Sequence, residues 1–569
     1  MSTFVLGTTR VRIRQLALSA DGTAAIALIA LGILGVALTW GTWGDLGSDT
    51  GYDLVAATRV AHGQLPYSDF TYYYGPLSPM LLGLVAAIAG GGLGPMIAVG
   101  LATSALLVAL TYLLARTFVG AMPAALAAAI VLAVAIAPTN FSYVLPHTAA
   151  MTFGMVALLA LLLALARSRP FVAGVCLGIT ALTKPELALA AVAAAAAWTF
   201  ASHLRGGQLV RLATPAAAIP ALVYGAFLTQ VSTHRLVFDN LYPTSVLRAG
   251  GDKLLRLHAP LTASSLVSHA GHVALYAIGA GALLGAGSMR FSHGRARWVL
   301  AAIAVVVLMV AFADLEAARS GLQLVYGWIP GGAAIAVVAI LLSSRRSPDA
   351  LAFAVALAVL GATTYAAFYL LSPHAQTAVY FAPLAAVFLA WLHIRVLPRS
   401  HGQVLLGIGW LAFLAAVGLA LVVKDARTET VVVSGPGGSM RMASANAHAF
   451  QGALSAVTRL TRPGEPVLFA PQLSALYVLA DRTDPLAQIS LLPGALPSAP
   501  VERQGIERLK AAHVRVVVTD THPLTEYGHG SFGVSFDQTL GRWIERNFIA
   551  VRTFHGQTHT LIVWRRPSS

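Results

Sequence analysis

The stretch Gly44-Asp45-Leu46-Gly47-Ser48-Asp49-Thr50-Gly51-Tyr52-Asp53 runs on through Gly63-Gln64-Leu65-Pro66-Tyr67-Ser68-Asp69-Phe70 to Tyr72-Tyr73-Tyr74-Gly75-Pro76-Leu77. It is acidic and aromatic in a chain that is otherwise strongly apolar. An apolar run from about Gly22 to Trp40 precedes it, and another opens near residue 93. Ser48 or Asp49 is placed to cap a helix that Gly63 ends. On that helix Asp49 and Asp53 are four residues apart and share a face. Leu54, Val55, Ala57 and Val60 are expected to meet the membrane surface, as in an amphipathic helix lying in the interface. Carboxylates held there suit a general base at the membrane boundary. The plainer alternative is that Asp49 is an N-cap and Asp53 a solvated side chain.

Outward from this loop the chain reads as a polytopic membrane protein. Charged residues make up 10% of it and hydrophobic ones 57%, against a usual soluble share of roughly 25% charged. Mean hydropathy is +0.74. Apolar runs of membrane-crossing length recur, and their richness in Ala, Gly, Leu and Val allows close helix packing in lipid. The net charge of +15 sits mostly in short loops between these runs, so it reports orientation and not nucleic-acid binding. The single cysteine, Cys176, rules out a disulfide within the chain and reads as a small packed hydrophobe.

About thirteen transmembrane helices are expected, at 22–41, 93–115, 122–138, 148–166, 170–183, 187–201, 213–230, 268–287, 298–313, 327–343, 350–371, 380–395 and 403–423. Arg10, Arg12 and Arg14 place the N-terminus in the cytoplasm, with the first run an uncleaved span. The cytoplasmic connections then carry Arg116, Arg167, Arg169, Arg205, Arg211, Arg290, Arg295, Arg297, Arg345, Arg346, Arg395 and Arg399. With the three N-terminal arginines that is fifteen basic residues, opposed by Asp21 and Asp349 alone. The opposite connections carry nine acidic residues (Asp45, Asp49, Asp53, Asp69, Glu186, Asp239, Asp252, Asp314, Glu316) against seven basic ones. This alternation sets the topology. Two outer loops are long, about 42–92 and 231–268, and loops of that length usually carry function.

Residues 1–423 therefore form the membrane body, and 424–569 a small extracytoplasmic α/β domain. In the latter, Val467–Ala470 and Val514–Thr519 read as buried strands, and Ala550–Phe554 with Thr560–Trp564 as a strand pair. Leu473–Ala480, Val501–Ala512 and Phe536–Phe548 have helical spacing. Ser434-Gly435-Pro436-Gly437-Gly438-Ser439 lacks the Lys of a phosphate loop and reads as a flexible connection.

A second candidate site is Thr183-Lys184-Pro185-Glu186, between two apolar runs whose far ends carry cytoplasmic arginines. An ionisable group at membrane depth is costly and often functional. Lys184 suits a phosphate as a point charge; pairing with Glu186 or snorkelling is the alternative. Weaker candidates lie at other outer ends: Tyr143 and His147; Asp239, Asn240 and Tyr242 with Arg235 and Arg248; His374 and Tyr380. All of these suit the interfacial belt as well. No His/Asp/Glu spacing marks a metal site, and a bound divalent ion is allowed but not indicated.

The pattern Asp49-x-Gly-Tyr, Gly63-x-x-Pro66-Tyr67-x-Asp69-Phe70 and Gly75-Pro76-Leu77 resembles the first outer loop of GT-C membrane glycosyltransferases. The branch it resembles contains bacterial protein O-mannosyltransferases and the lipid A aminoarabinose transferase (glycosyltransferase family 39). The run Gly178-Ile179-Thr180-Ala181-Leu182-Thr183-Lys184-Pro185 is also similar to this superfamily. The resemblance implies a GT-C fold and an enzyme at the bacterial plasma membrane. Its donor would be a polyprenyl-phosphate sugar, and its acceptor an envelope glycan, lipid or protein. It implies Asp49 as catalytic base. The candidates for substrate binding are Lys184, Asp69, Asp53, Tyr67, His374 and Tyr380. The chain departs from many members in having Thr50, not Glu, after Asp49, and in having Tyr74 before the Gly-Pro pair. The expected activity is inverting transfer of a hexosyl or pentosyl group. The alternative from another class is a transporter or flippase for a lipid-linked saccharide, which would place charges near the midplane and show internal repeats.

Overall fold

The computed structural model describes residues 19–249 and 315–567, apart from 49, 140–141, 203–204, 344–346, 369–374 and 398–399, together with 299, 302 and 306. The expected spans 268–287 and 298–313 lie outside the described residues except at those three positions. The body is helical: α1 (Ala20–Thr39), α2 (Thr50–Ala61), α3 (Leu77–Ala89), α4 (Leu93–Phe118), α5 (Ala121–Ala135), α6 (Ala149–Ala166), α7 (Pro170–Thr180), α8 (Pro185–Ser202) and α9 (Gly206–Leu228). After a π-helical stretch at Arg235–Leu241 come α10 (Leu315–Leu342), α11 (Pro348–Phe368), α12 (Ala375–Trp391) and α13 (His401–Thr428).

Among the described residues six helices are long and apolar enough to cross a membrane: α1, α4, α6, α8, α9 and α13. Shorter apolar helices accompany them, including α3, α5 and α7. At 1.5 Å per residue a thirteen-residue helix such as α3 reaches only about 20 Å, short of the roughly 30 Å hydrocarbon core. The body packs on small side chains. Ala124, Ala127, Ala128 and Ala135 of α5 are fully buried in one cluster with Leu158 and Leu161 of α6 and Ala385 and Ala386 of α12.

The strands follow the last helix. The hairpin β1 (Val431–Gly435) and β2 (Gly438–Met442) occupies the stretch expected to be a flexible connection. Its tip is held, because the Gly437 carbonyl accepts the N–H of Leu93 at 3.0 Å at the start of α4. Then come α14 (Ser444–Leu460), β3 (Leu468–Ala470), α15 (Ala475–Ala480), α16 (Ala499–Ala511), β4 (Val516–Asp520), α17 (Gln538–Asn547), β5 (Ile549–His555) and β6 (Thr560–Arg565). Strand order is β3-β4-β6-β5, parallel at β3/β4 and antiparallel elsewhere. Every residue of β4 is buried, as its apolar run Val516-Val517-Val518 requires of an inner strand.

The first long loop departs from its expected setting. Leu54, Val55 and Ala57 of α2 are buried within protein, in one cluster with Leu476 and Leu479 of α15. The helix exposing apolar side chains is instead α3, at Leu81, Leu84 and Ile88. α2 is an inner helix with partners on both faces, and α3 takes the outward position.

Candidate functional site

The first long loop folds back on itself through polar contacts near its start. The Asp45 N–H donates to Thr50 Oγ1 at 2.9 Å, and Asp45 Oδ1 accepts the Gly47 N–H at 2.9 Å. This tight turn delivers the chain into α2. Asp49 itself lies outside the described residues, but its neighbours Ser48 and Thr50 are described, and Thr50 is buried.

One turn into α2, Asp53 is 6% exposed. Its Oδ2 accepts the Ala149 N–H at 2.6 Å, and its Oδ1 accepts the Tyr72 hydroxyl. Ala149 is the first residue of α6, so the carboxylate sits where orphan N–H groups and the helix dipole favour negative charge. Burial nevertheless pushes the Asp53 carboxyl above the usual carboxylate range, while Tyr72, Ala149 and His147 pull the other way. Asp53 is thus neither solvated nor idle; it joins two helices. Beside it a cavity of about 30 Å³ is lined by Thr50, Asp53, Leu82, Met96, Tyr143 and Thr152, room for one or two waters.

Tyr72 is the hub of this arrangement. Its hydroxyl also meets Ser78 Oγ at 2.7 Å, and its N–H donates to Asn240 Oδ1 at 2.9 Å. Asn240 is buried, and its amide donates to the Arg235 carbonyl at 2.8 Å, so the second long loop braces the first. Tyr52 stacks on Tyr72 and Tyr73, with ring centroids 5.4 and 5.8 Å apart, and Tyr74 stands edge-on to Tyr72 at 5.8 Å.

The two motifs of the sequence meet at the far side of Tyr74. The Gly75 N–H donates to the Thr183 carbonyl at 2.6 Å, and the Leu77 N–H to the Leu182 carbonyl at 3.1 Å. Gly75 is required, because a Cβ there would overlap the Leu182 and Thr183 carbonyls. Lys184, 5% exposed, has its Nζ 4.9 Å from the Tyr74 ring centroid, a cation–π distance. A continuous path therefore runs Asp53–Tyr72–Tyr74–Lys184. Glu186 Oε2 is buried nearby without a hydrogen-bond partner.

The other predicted residues are placed as follows. Tyr67 is fully buried, with backbone φ of +68°. Its hydroxyl donates to the Tyr74 carbonyl at 2.6 Å, and its ring stands edge-on to Phe227 at 5.1 Å. Asp69 is exposed and caps its own turn, accepting the Leu65 N–H at 2.7 Å. With Arg59, Gln64, Asp484, Leu486 and Arg508 it lines an open polar groove of about 330 Å³. His374 lies outside the described residues. Tyr380 lies on α12, and its side chain is outside the described set. Among the described residues no three His, Cys, Asp or Glu side chains come together to hold a metal ion.

Sequence reasoning passed over two residues. Tyr72 was one of three consecutive tyrosines with nothing to single it out. Arg59 counted only as an outer-loop charge. It forms an ion pair with Asp484 at 3.1 Å, with side chains 9% and 1% exposed, and it donates to the Asp484 and Leu486 carbonyls. Its place six residues after Asp53 on the same helix was the available signal.

No protein-family model matches the chain, and no curated protein matches its sequence. Among solved structures the chain aligns with the Archaeoglobus fulgidus oligosaccharyltransferase in complex with zinc and sulfate. The TM-score is 0.51 at 14% identity, over 93% of this chain and 73% of that one. The oligosaccharyltransferase AglB from the same organism, bound to an inhibitory peptide and a dolichol-phosphate, aligns at TM-score 0.49 and 15% identity, over 92% and 72%. ArnT from Cupriavidus metallidurans bound to undecaprenyl phosphate aligns at 0.40 and 12%, over 96% and 98%. The first of these alignments shows that the chain shares the overall fold of that archaeal oligosaccharyltransferase.

Proposed function

We propose that this GT-C chain is an inverting glycosyltransferase that moves a sugar from a polyprenyl-phosphate donor to an acceptor hydroxyl on the extracytoplasmic face. Asp49 takes the proton of the acceptor hydroxyl as its oxygen attacks the anomeric carbon. The bond from that carbon to the phosphate oxygen breaks, and polyprenyl phosphate leaves with the electron pair. Lys184 stabilises the charge growing on that phosphate. Thirteen spans, two of them in the stretch 268–313, leave the N-terminus in the cytoplasm and residues 424–569 outside.

One observation carries the reading: Gly75-Pro76-Leu77 docks on Leu182–Thr183. That contact brings the acidic first loop and Lys184, sites more than a hundred residues apart, to one end of the body. Asp53, Tyr72, Tyr74 and Lys184 are joined there, as transfer at one face needs and transport through a midplane site does not.

The test is reconstitution with polyprenyl-phosphate sugars, hexosyl and pentosyl, and a panel of envelope glycans, lipids and peptides. Wild-type protein should transfer sugar with inversion, and Asp49→Asn should lower the rate at least 10³-fold at equal protein. Full activity in Asp49→Asn would remove the base assignment. Passage of lipid-linked saccharide across vesicles without transfer would replace the enzyme with a flippase.

A further inference from the structure

Between the first long loop and the tail runs an open groove of about 330 Å³ that the reaction above does not use. Two docked segments make it. The Thr71 N–H donates to the Ala487 carbonyl at 2.8 Å, which fixes the tail segment 484–488 against the turn at 64–70. Arg59, near the end of α2, forms the floor. It is paired with the Asp484 carboxylate at 3.1 Å, donates to the carbonyls of Asp484 and Leu486, and lies over the Phe70 ring at 5.4 Å from its centroid. Phe70 is fully buried. The polar contacts of Arg59 all fall on Nη2, so the guanidinium is fixed in place with the rest of its donors left over.

The rim holds polar groups that the fold does not use. Gln64 and Arg508 of α16 are exposed, and among the described residues neither side chain makes a hydrogen bond or ion pair. Asp69 spends Oδ2 on the Leu65 N–H at 2.7 Å and keeps Oδ1 as an acceptor. The charges of the lining balance, Arg59 against Asp484 and Arg508 against Asp69. An anion entering the groove meets two carboxylates beside the two arginines, and a cation the reverse. Arginine carries donors only, an ionised aspartate acceptors only, and glutamine both. A hydroxyl both donates and accepts, so neighbouring hydroxyls of one sugar ring satisfy all three side chains together. A peptide would bring apolar side chains as well, for which the lining offers only Pro485 and Leu486.

We propose that this groove is a saccharide-binding subsite: it takes the neutral, hydroxyl-rich part of a glycan acceptor at a distance from the bond being formed. Arg508, Gln64 and Asp69 make the hydrogen bonds, over the fixed guanidinium of Arg59. The role as acceptor subsite rests on the glycosyltransferase reading; the affinity for saccharide does not. Arg59 follows Asp53 by six residues, about 9 Å along α2 at 1.5 Å per residue, so the groove extends the site along that helix. Binding of a remote acceptor segment shows in the acceptor KM more than in kcat.

The test uses the full chain in lipid nanodiscs. Saturation-transfer difference NMR follows binding of maltotriose, mannotriose and chitotriose, with a sulfated heparin disaccharide as the anionic probe and trialanine as the peptide probe. At least one neutral trisaccharide should give a saturable signal. Arg508→Ala and Gln64→Ala, both at exposed side chains, should each weaken it at least tenfold with an unchanged melting temperature. Arg508→Gln keeps hydrogen-bond donors without the charge and should hold binding within threefold of wild type. A tenfold rise in salt should leave trisaccharide binding unchanged, since screening acts on charges. No saturable signal from any of the three trisaccharides, equal losses in Arg508→Ala and Arg508→Gln, or tighter binding of the sulfated or the peptide probe would each overturn the proposal. With a glycan acceptor under transfer, Arg508→Ala should raise the acceptor KM at least tenfold and leave the donor KM within twofold. If the trisaccharide binds as stated while wild-type protein transfers no sugar, the saccharide groove stands and the proposed function fails. If transfer proceeds and the acceptor KM of Arg508→Ala does not move, the groove proposal fails and the function stands.

Discussion

Asp53 Oδ2 accepts the backbone N–H of Ala149 at 2.6 Å, so a carboxylate of the first long loop meets the N-terminus of a helix that begins ninety-six residues later. The same carboxylate takes the Tyr72 hydroxyl. Removing it strands two buried donors. Asp53→Ala should therefore destabilise the protein by about 3 kcal/mol, and Asp53→Asn, which keeps one acceptor oxygen, by about 1 kcal/mol. Tyr72→Phe should also cost about 1 kcal/mol. Thermal unfolding of purified protein in one detergent ranks the three. Equal stability of Asp53→Ala and wild type would mean that the Asp53–Ala149 contact contributes nothing to the fold.

The docking of Gly75 on Thr183 and Leu182 offers a second handle. Gly75→Ala places a methyl on those carbonyls, and backbone on both sides leaves nothing flexible to yield. The loop must lift, separating the tyrosine cluster from Lys184. The expected result is a loss of 2 kcal/mol or more, roughly the upper range for overpacking, and at least a tenfold fall in transfer. By contrast Gly63→Ala, with nothing within 4 Å of its Cβ, meets only the strain of its φ of +82°. It should cost about 1–2 kcal/mol and leave transfer within twofold. If the two variants behave alike, close approach at Gly75 is not what joins the motifs.

The apolar helices were legible because apolar length is a local signal, and among the described residues six of them are long enough to cross a membrane. The strands of the tail were legible for the same reason, from the runs at Val516-Val517-Val518 and Thr560–Trp564. What the sequence could not show was anything decided across long separations. Leu54, Val55 and Ala57 look like a membrane-facing stripe until Leu476 and Leu479, more than 400 residues later, cover them. Helix α3 was hidden because thirteen apolar residues between Pro76 and Gly90 look like part of a loop. The hairpin at 431–442 was misread because its Gly-Ser richness conceals a tip pinned to Leu93. Asp53 and Lys184, both named from the sequence, stand at the two ends of the tyrosine path. Tyr72 carries no local signature, since it is defined by partners on other elements.

Asp537 predicts a pH dependence. It is 6% exposed, with one carboxylate oxygen lacking any hydrogen bond. Burial, with the charge of Glu502 adding to it, pushes its carboxyl up to about 8. A carboxyl raised on folding binds its proton more tightly in the folded state. Its stabilisation is complete below the ordinary carboxylate value and is lost as pH rises through about 8. Between pH 5 and pH 8 this group should weaken the fold by up to about 1.4 kcal/mol per pH unit. Asp537→Asn cannot ionise and should flatten that slope, with the larger gain in melting temperature at pH 8 than at pH 5. Parallel pH profiles for the two proteins would show that the group does not titrate in this window.

Lys184 separates phosphate binding from structural pairing. Its ammonium sits over Tyr74 and is almost fully buried, so its stem and charge both contribute. Lys184→Met keeps most of the stem and removes the charge. If Lys184 stabilises the departing phosphate, Lys184→Met should lower kcat about 10²-fold, the scale for one electrostatic group acting on developing charge, while melting temperature moves little. Lys184→Arg keeps the charge and can still stack on Tyr74, but its planar fork is larger than the ammonium; it should recover part of the rate. A structural ion pair gives the opposite pattern: Lys184→Met would lose several degrees of melting temperature, and the rate per folded molecule would hold. Initial rates with a polyprenyl-phosphate sugar, normalised to folded protein, decide between the two.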